Sequence, residues 1–200
     1  MGKYLDQAGG KTVYDHSCLD GKLLYLELLG QALKEVELPG LIAEAGVYRG
    51  GSAKLLATIF DDRPVLLFDS FTGMLENDTH NLGLHKLGDF NDCSLASVQE
   101  YLHDNTNCKF YPGWFPDTAK FFTDEKFAMV HLDMDYYQST QAGIEVFWPR
   151  MVSGGIMVLD DYGWRSCPGV DQAFHEYFDS RDDYNILESR FLYTLAICKK

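Results

Sequence analysis

The sequence is poor in positive charge: 17 lysines and arginines stand against 30 aspartates and glutamates, a formal net charge of −13 over 200 residues. A surface of that sign repels phosphate backbones, so nucleic acid is not expected as a partner. Long apolar runs are also missing. No stretch reaches the roughly 18 residues of a membrane helix, and Met1 to Gly10 lacks the apolar core of a secretory leader. The expectation is a cytoplasmic protein with no membrane partner. The five cysteines, at 18, 93, 108, 167 and 198, contain no Cys-x-x-Cys pair, which argues against a zinc ribbon and a disulfide framework. Repeats, low-complexity tracts and linkers are absent too. With 46% hydrophobic residues, the chain suits one α/β domain spanning 1–200.

What is present is acid at the ends of apolar runs. Phe127 to Leu132 and Ile156 to Leu159 are short and almost wholly apolar, as strands buried on both faces of a parallel sheet are. The first leads into Asp133-Met134-Asp135 and the second into Asp160-Asp161. Carboxyl ends of strands are where open α/β sheets bind ligands. On neighbouring strands, about 4.8 Å apart, Asp133, Asp160 and Asp161 would converge. Carboxylates that close repel one another unless they take up protons or a cation, and a hard ion, Mg²⁺ before Ca²⁺, suits oxygen donors. Aspartate at such a turn also caps the helix that follows. Two acid-tipped strands in succession favour the cation.

Residues 1–40 form an amino-terminal segment. Leu19, Leu23, Leu26, Leu29, Leu33 and Val36 recur at helical spacing after a capping-box pattern at Ser17 to Asp20, and Pro39-Gly40 ends the helix. Its apolar stripe could cover a sheet face, an active-site edge or another subunit. Next come a strand from Leu41, a glycine-rich turn (Gly46-Val47-Tyr48-Arg49-Gly50-Gly51) and a helix opening at Ser52, an arrangement that cradles nucleotide-type cofactors. Glu44 stands before the turn, where it would repel a pyrophosphate and favour the positive sulfonium of S-adenosylmethionine. Val65 to Phe68 reads as the second strand. Asp69, 19 positions beyond Gly50, is placed to accept hydrogen bonds from ribose hydroxyls.

Residues 72–92 show no sustained period and read as a lid loop, with His80 and His85 as solvated loop residues. A helix is expected over Ser94–His103, a strand at Lys109–Tyr111 and a turn over Pro112–Pro116, where Trp114 could stack on an adenine or a sugar. Helices are expected over Gln141–Trp148 and Pro168–Phe178. The runs 185–188 and 191–197 suggest a closing hairpin that inserts an antiparallel strand at one sheet edge.

The segments Glu44-Ala-Gly-Val-Tyr-Arg-Gly-Gly-Ser, Phe68-Asp-Ser-Phe-Thr-Gly, Pro112-Gly-Trp-Phe-Pro-Asp-Thr, Leu132-Asp-Met-Asp-Tyr-Tyr-Gln-Ser-Thr and Gly154-Gly-Ile-Met-Val-Leu-Asp-Asp-Tyr-Gly, with Gly88-Asp-Phe, resemble the macrocin O-methyltransferase family over about residues 40–180. The resemblance implies a class I methyltransferase, Rossmann-like fold: a seven-stranded, mostly parallel sheet with one antiparallel edge-hairpin strand and helices on both faces. It implies S-adenosylmethionine and Mg²⁺, with Asp133, Asp160 and Asp161 as metal ligands. Asp135 would be the general base, with Asp133 beside it at the chemistry. Glu44, Gly46, Asp69 and Ser70 would line the cofactor site, with Tyr48, Ser52 and Trp114 as additions. The chain's amino-terminal part is shorter than in the antibiotic-tailoring members, where that segment helps build the acceptor pocket and subunit contacts. The acceptor and self-association therefore do not carry over.

The expected reaction is methylation of a hydroxyl on a sugar or other small polyhydroxylated metabolite. Tyr136, Tyr137, Tyr162 and Trp164 flank the acids and could stack on a sugar face or simply pack. One rival is an NAD-dependent oxidoreductase, against which Glu44 and the missing middle glycine argue. Another is a nucleoside- or metal-binding protein of the same fold without turnover.

Overall fold

A computed structural model describes residues 16–76, 84–122, 124–189 and 192–200. His80 and the start of the expected last strand lie outside them, as do residues 1–15 of the stretch 1–16 whose polar, glycine-containing sequence reads as irregular, while His16 already belongs to a helix. Among the described residues a seven-stranded sheet has the order β3-β2-β1-β4-β5-β7-β6. Its strands are β1 (Leu41–Ala45), β2 (Val65–Asp69), β3 (Cys108–Pro112), β4 (Phe127–Leu132), β5 (Met151–Asp160), β6 (Tyr184–Ser189) and β7 (Thr194–Lys199). β1 to β5 pair parallel, and β7 runs antiparallel to both β5 and β6. This is the expected sheet with its inserted antiparallel strand.

The helices are α1 (His16–Glu35), α2 (Gly51–Ile59), α3 (Leu95–Tyr101), α4 (Phe115–Thr118), α5 (Tyr137–Phe147) and α6 (Pro168–Phe178). Because successive strand residues point to opposite faces, each strand feeds two cores. Ala43, Phe68, Val130 and Leu159 pack with α5 and α6 side chains such as Phe147 and Phe174. Ile42, Leu67, Met129 and Val158 pack with Leu26 and Leu33 of α1, Leu56 of α2 and Val98 of α3. The stripe of α1 therefore covers a sheet face. Each large side chain buried in these layers contributes about 1.5–3 kcal/mol.

Boundaries differ from expectation where glycine and proline act locally. β5 begins at Met151 rather than 156, because Gly154 (φ 83°) carries the strand through an irregular register against β4. Pro116 sits in the first turn of α4, which its missing N–H permits, so the expected turn contains a short helix. α5 starts four residues early, directly after Asp135, whose φ of 62° turns the chain off β4. β7 starts at Thr194 after Tyr193 (φ 50°).

Gly46 needs its lack of a side chain. At φ 87°, a Cβ there would lie 1.8 Å from the carbonyl oxygen of Asp133. That contact, with Asp133 N–H donating to Ala45 O at 2.8 Å, seats the glycine-rich turn on the acid-bearing tip of β4.

Candidate active site

A cleft of about 1580 Å³ opens at the carboxyl ends of the parallel strands. One side is built by the turn between β1 and α2. Asp69 organises it: Oδ2 accepts from Val47 N (2.7 Å) and Tyr48 N (2.8 Å), and Oδ1 from Phe71 N (2.6 Å). A carboxylate offers about four acceptor positions, so three are committed to holding two turns together before any ribose arrives. Ser70 Oγ donates to Gly73 O at 2.8 Å, and Tyr48 Oη to Asp92 at 2.6 Å. Gly46, Tyr48, Ser52, Asp69, Ser70 and Trp114 all line the cleft. Gly50 precedes α2 without a side-chain cap, and Gly51 and Ser52 of its first turn line the cleft.

Glu44 is placed differently from expectation. It is fully buried in β1, beneath the cleft wall, and accepts from His131 Nδ1 at 2.9 Å. Its other oxygen, Oε2, has no hydrogen-bond partner among the described residues. Glu44 and His131 are direct neighbours in the β1–β4 register, and Asp160 and Thr194 are neighbours in β5–β7. A row of polar side chains thus crosses the face of the sheet that α1 covers. His131 Nε2 lies 3.8 Å from Asp160 Oδ2, and Thr194 Oγ1 donates to Asp160 Oδ1 at 3.0 Å.

The four aspartates meet at the adjoining tips of β4 and β5. Oxygens of Asp133, Asp135 and Asp161 lie within 4.8 Å of one another, and Asp133 and Asp160 form a second such group with His131. Lys22, from α1, reaches into the cluster with its Nζ 2.8 Å from Asp160 Oδ1 and 2.6 Å from Asp161 Oδ1. Burial opposes its charge, but Asp160, Asp161 and Asp133 outweigh burial and hold the ammonium protonated. Burial likewise pulls the His131 imidazole down, and Asp160 and Glu44 overcome it, raising its pKa to about 10. Asp160, desolvated but beside Lys22 and His131, is held below the usual carboxylate range. Asp133 and Asp135 are the reverse case. Burial first, then Asp160 and Asp161 around Asp133, and Asp161 and Asp133 around Asp135, push both carboxyls well up.

Two of the four acids are thus already matched by an ammonium, and the other two are short of positive charge. The donors are of the kind a hard divalent ion takes. The groups that converge, however, are Asp133, Asp135 and Asp161, or Asp133 and Asp160 with His131, rather than Asp133, Asp160 and Asp161 together. Lys22 already engages Asp160 and Asp161. Such an ion would share or displace the lysine's place. Backbone strain accompanies the cluster, since Asp135 (φ 62°) and Asp161 (φ 60°) both take the left-handed conformation that aspartate adopts at some cost.

Lys22 and His131 escape a reading of the sequence, because one lies on an apolar-striped helix and the other inside an apolar strand. His85, expected to be solvated, instead has its ring 3.6 Å from Asp135 Oδ1, and Tyr136 Oη donates to its carbonyl at 2.5 Å. Of the four flanking aromatics, Tyr136 is core, Tyr137 donates to Glu176 and Tyr162 packs on Phe174. Trp164 lines the cleft, edge-on to Tyr193 at 4.5 Å.

The family model described as Macrocin-O-methyltransferase (TylF) matches residues 22–188. A mycinamicin III 3''-O-methyltransferase from Micromonospora griseorubida is 34% identical over 71% of this chain and 61% of its own length. An 8-demethyl-8-(2,3-dimethoxy-alpha-L-rhamnosyl)-tetracenomycin-C 4'-O-methyltransferase from Streptomyces olivaceus is 32% identical over 70% of this chain and 58% of its own. The chain therefore spans about three fifths of the length of these relatives. Among solved structures, the O-methyltransferase NovP superposes with a TM-score of 0.74 at 25% identity, covering 90% of this chain and 79% of that one. CalS11, a calicheamicin methyltransferase, gives 0.73 at 21% identity over 89% and 78%, a likeness of fold.

Proposed function

The chain belongs to the macrocin O-methyltransferase family, and from that premise we propose that it transfers the methyl group of S-adenosylmethionine to a hydroxyl of a sugar or another small polyhydroxylated acceptor. In this reading Asp133, Asp160 and Asp161 hold a divalent cation, Mg²⁺ first. The observation that carries it is the gathering of four aspartates on one cleft wall, where Lys22 would have to give way to the ion. The sulfonium supplies an activated methyl group, and the cation lowers the pKa of an alcohol brought beside it.

The protein's own residues position and deprotonate. Asp135, at the tip of β4 and at the cleft surface, accepts the hydroxyl proton on its carboxylate. The open amino end of α2 receives the carboxylate of the methyl donor. Gly46 and Asp69 fix the distance between that turn and the aspartates. The loop after β2, tied down by Met74 N–H to Asp89 O (2.8 Å) and Leu84 N–H to Ser166 O (3.1 Å), is read as a lid that excludes water. Trp164 and Tyr193 offer an apolar face to an acceptor ring. Because Glu44 is charge-matched by His131, it no longer argues against a pyrophosphate. Family membership now carries the choice of cofactor.

An acceptor screen with labelled S-adenosylmethionine, with and without EDTA, tests the proposal. Transfer to a glycosylated or polyhydroxylated acceptor that EDTA abolishes and Mg²⁺ restores is expected. Transfer indifferent to EDTA would remove the cation from the reaction. Calorimetry should detect S-adenosylmethionine and S-adenosylhomocysteine but not NAD, and a preference for NAD would reverse the reading.

A further inference from the structure

On the side of the aspartate cluster that faces the loop after β2, three donors of a different chemical kind meet. His85 Nε2 is 3.6 Å from Asp135 Oδ1. Cys167 Sγ is 3.3 Å from the same oxygen and 3.7 Å from His85 Nε2. The three come from separate parts of the fold: the loop between β2 and α3, the turn after β4, and the residue that precedes α6. Cys167 is fully buried, and the side chains of His85 and Asp135 are only 13% and 14% exposed.

These separations discriminate between ions. Zinc bound tetrahedrally, with sulfur at about 2.3 Å and nitrogen or oxygen at about 2.0–2.1 Å, requires its donors to stand roughly 3.4–3.6 Å apart. The observed separations, 3.3 Å from sulfur to oxygen, 3.6 Å from nitrogen to oxygen and 3.7 Å from sulfur to nitrogen, lie within about 0.3 Å of the edges of one face of that tetrahedron, a gap that small side-chain adjustments close. Octahedral Mg²⁺ at about 2.1 Å would want neighbouring donors roughly 3.0 Å apart and has little affinity for sulfur or imidazole. A simple thiol-to-carboxylate hydrogen bond would account for the Cys167–Asp135 contact. The imidazole nitrogen beside the same oxygen and the same sulfur adds a third metal-ligating donor. Asp161 Oδ2, 3.7 Å from Cys167 Sγ, stands within reach as a fourth donor.

We propose that His85, Asp135 and Cys167 form a site for a thiophilic divalent ion of the zinc class, adjoining the hard-cation site and distinct from it in ligand chemistry. As the metal–sulfur bond forms, the thiol proton leaves to solvent, and no electron transfer is involved. Occupancy ties the loop after β2 to the sheet and takes up Asp135. On the methyl-transfer reading above, zinc therefore inhibits where Mg²⁺ supports. The site itself does not depend on that reading.

The test uses cobalt as the probe, titrated into the full chain under reducing conditions with Mg²⁺ in excess. About one equivalent of Co²⁺ should produce thiolate-to-cobalt charge transfer in the near ultraviolet and the intense visible bands of a tetrahedral ion, both erased by Zn²⁺. Cys167→Ser should abolish the charge-transfer band, and His85→Asn should weaken cobalt binding about tenfold or more, with circular dichroism unchanged in both. A weak octahedral spectrum without charge transfer, or a band that survives Cys167→Ser, would overturn the proposal. Should that variant fold poorly, His85→Asn decides: unaltered cobalt affinity sinks the site. Methyl transfer can fail with the cobalt spectrum intact, so the two readings fall separately.

Discussion

The two ends of the sheet treat acid in opposite ways. At the amino-terminal edge of the parallel strands, the exposed Asp62 and the half-buried Asp183 each have cations of their own. Asp62 is met by Lys34 and by Arg63 at 2.9 Å, and Asp183 by Arg181 at 2.8 Å and Lys199 at 2.6 Å, with Trp148 Nε1 donating at 3.2 Å. At the carboxyl edge four aspartates share one lysine and one imidazolium. Strain divides the same way. Among the described non-glycine residues with positive φ, Tyr48, Phe71, Phe90, Asp135, Asp161 and Tyr193 belong to the cleft end, and Glu37 lies at the other. One edge is arranged for stability. The other stores unfavourable charge and geometry that a ligand can relieve.

The sharpest way to break this comparison is to neutralise one acid at each edge. Asp135→Asn should lower the rate of methyl transfer by about 10²–10⁴-fold while leaving the denaturation midpoint unchanged or higher, since burial, Asp161 and Asp133 all disfavour the charged form of this carboxyl in the folded protein. A stability loss with activity retained would invert the assignment. Gly46→Ala probes the joint between the two halves of the cleft. It should cost about 2–3 kcal/mol in urea denaturation, because its Cβ would overlap the Asp133 carbonyl. A neutral result would show that the turn yields.

Smaller effects sharpen the contrast. Lys22→Met removes the ammonium that competes for Asp160 and Asp161, so Mg²⁺ affinity by calorimetry should rise about tenfold, some 1.4 kcal/mol. Weaker binding would mean that Lys22 organises the ligands instead of competing. Asp183→Asn should cost about 1 kcal/mol or less at neutral pH, as partly exposed ion pairs do, with methyl transfer untouched. The hydrogen bond from Arg181, assisted by Lys199 and Trp148 against the cost of burial, holds the Asp183 carboxyl below its ordinary value of 3.8. Its stabilisation is therefore present above that value and is lost as pH falls through the depressed one. Wild type and variant should converge in acid, and a gap that persists there would locate the effect in packing.

Much of this was legible in the residues. Buried parallel strands announce themselves as short apolar runs, so β1, β2 and β4 and the acids at their tips could be placed from the sequence. So could a helix opening near Ser94, whose hydroxyl accepts from Ser97 N–H at 3.2 Å as the cap of α3. What escaped depends on pairing across the fold. Glu44 was read toward a cofactor because nothing local reveals that β4 brings His131 alongside it. Lys22 stands 139 positions from Asp161 and looks like the solvated face of an amphipathic helix. His85 lies in a segment without period, where no pattern says which way a side chain turns. The strand β5 was read short, because a glycine pair resembles a turn more than a bulge.

The bare α-carbon at Gly46, pressed on the Asp133 carbonyl, ties the glycine-rich turn and the acid cluster to a common origin. Neither half can be retuned by sliding against the other, because there is no side chain between them to repack. On the proposed reading, new acceptor preference, whether evolved or engineered, is written in the segments that flank this joint, Ser70, Gly73 and Met74 after β2 and the turn bearing Trp164, all of which line the cleft.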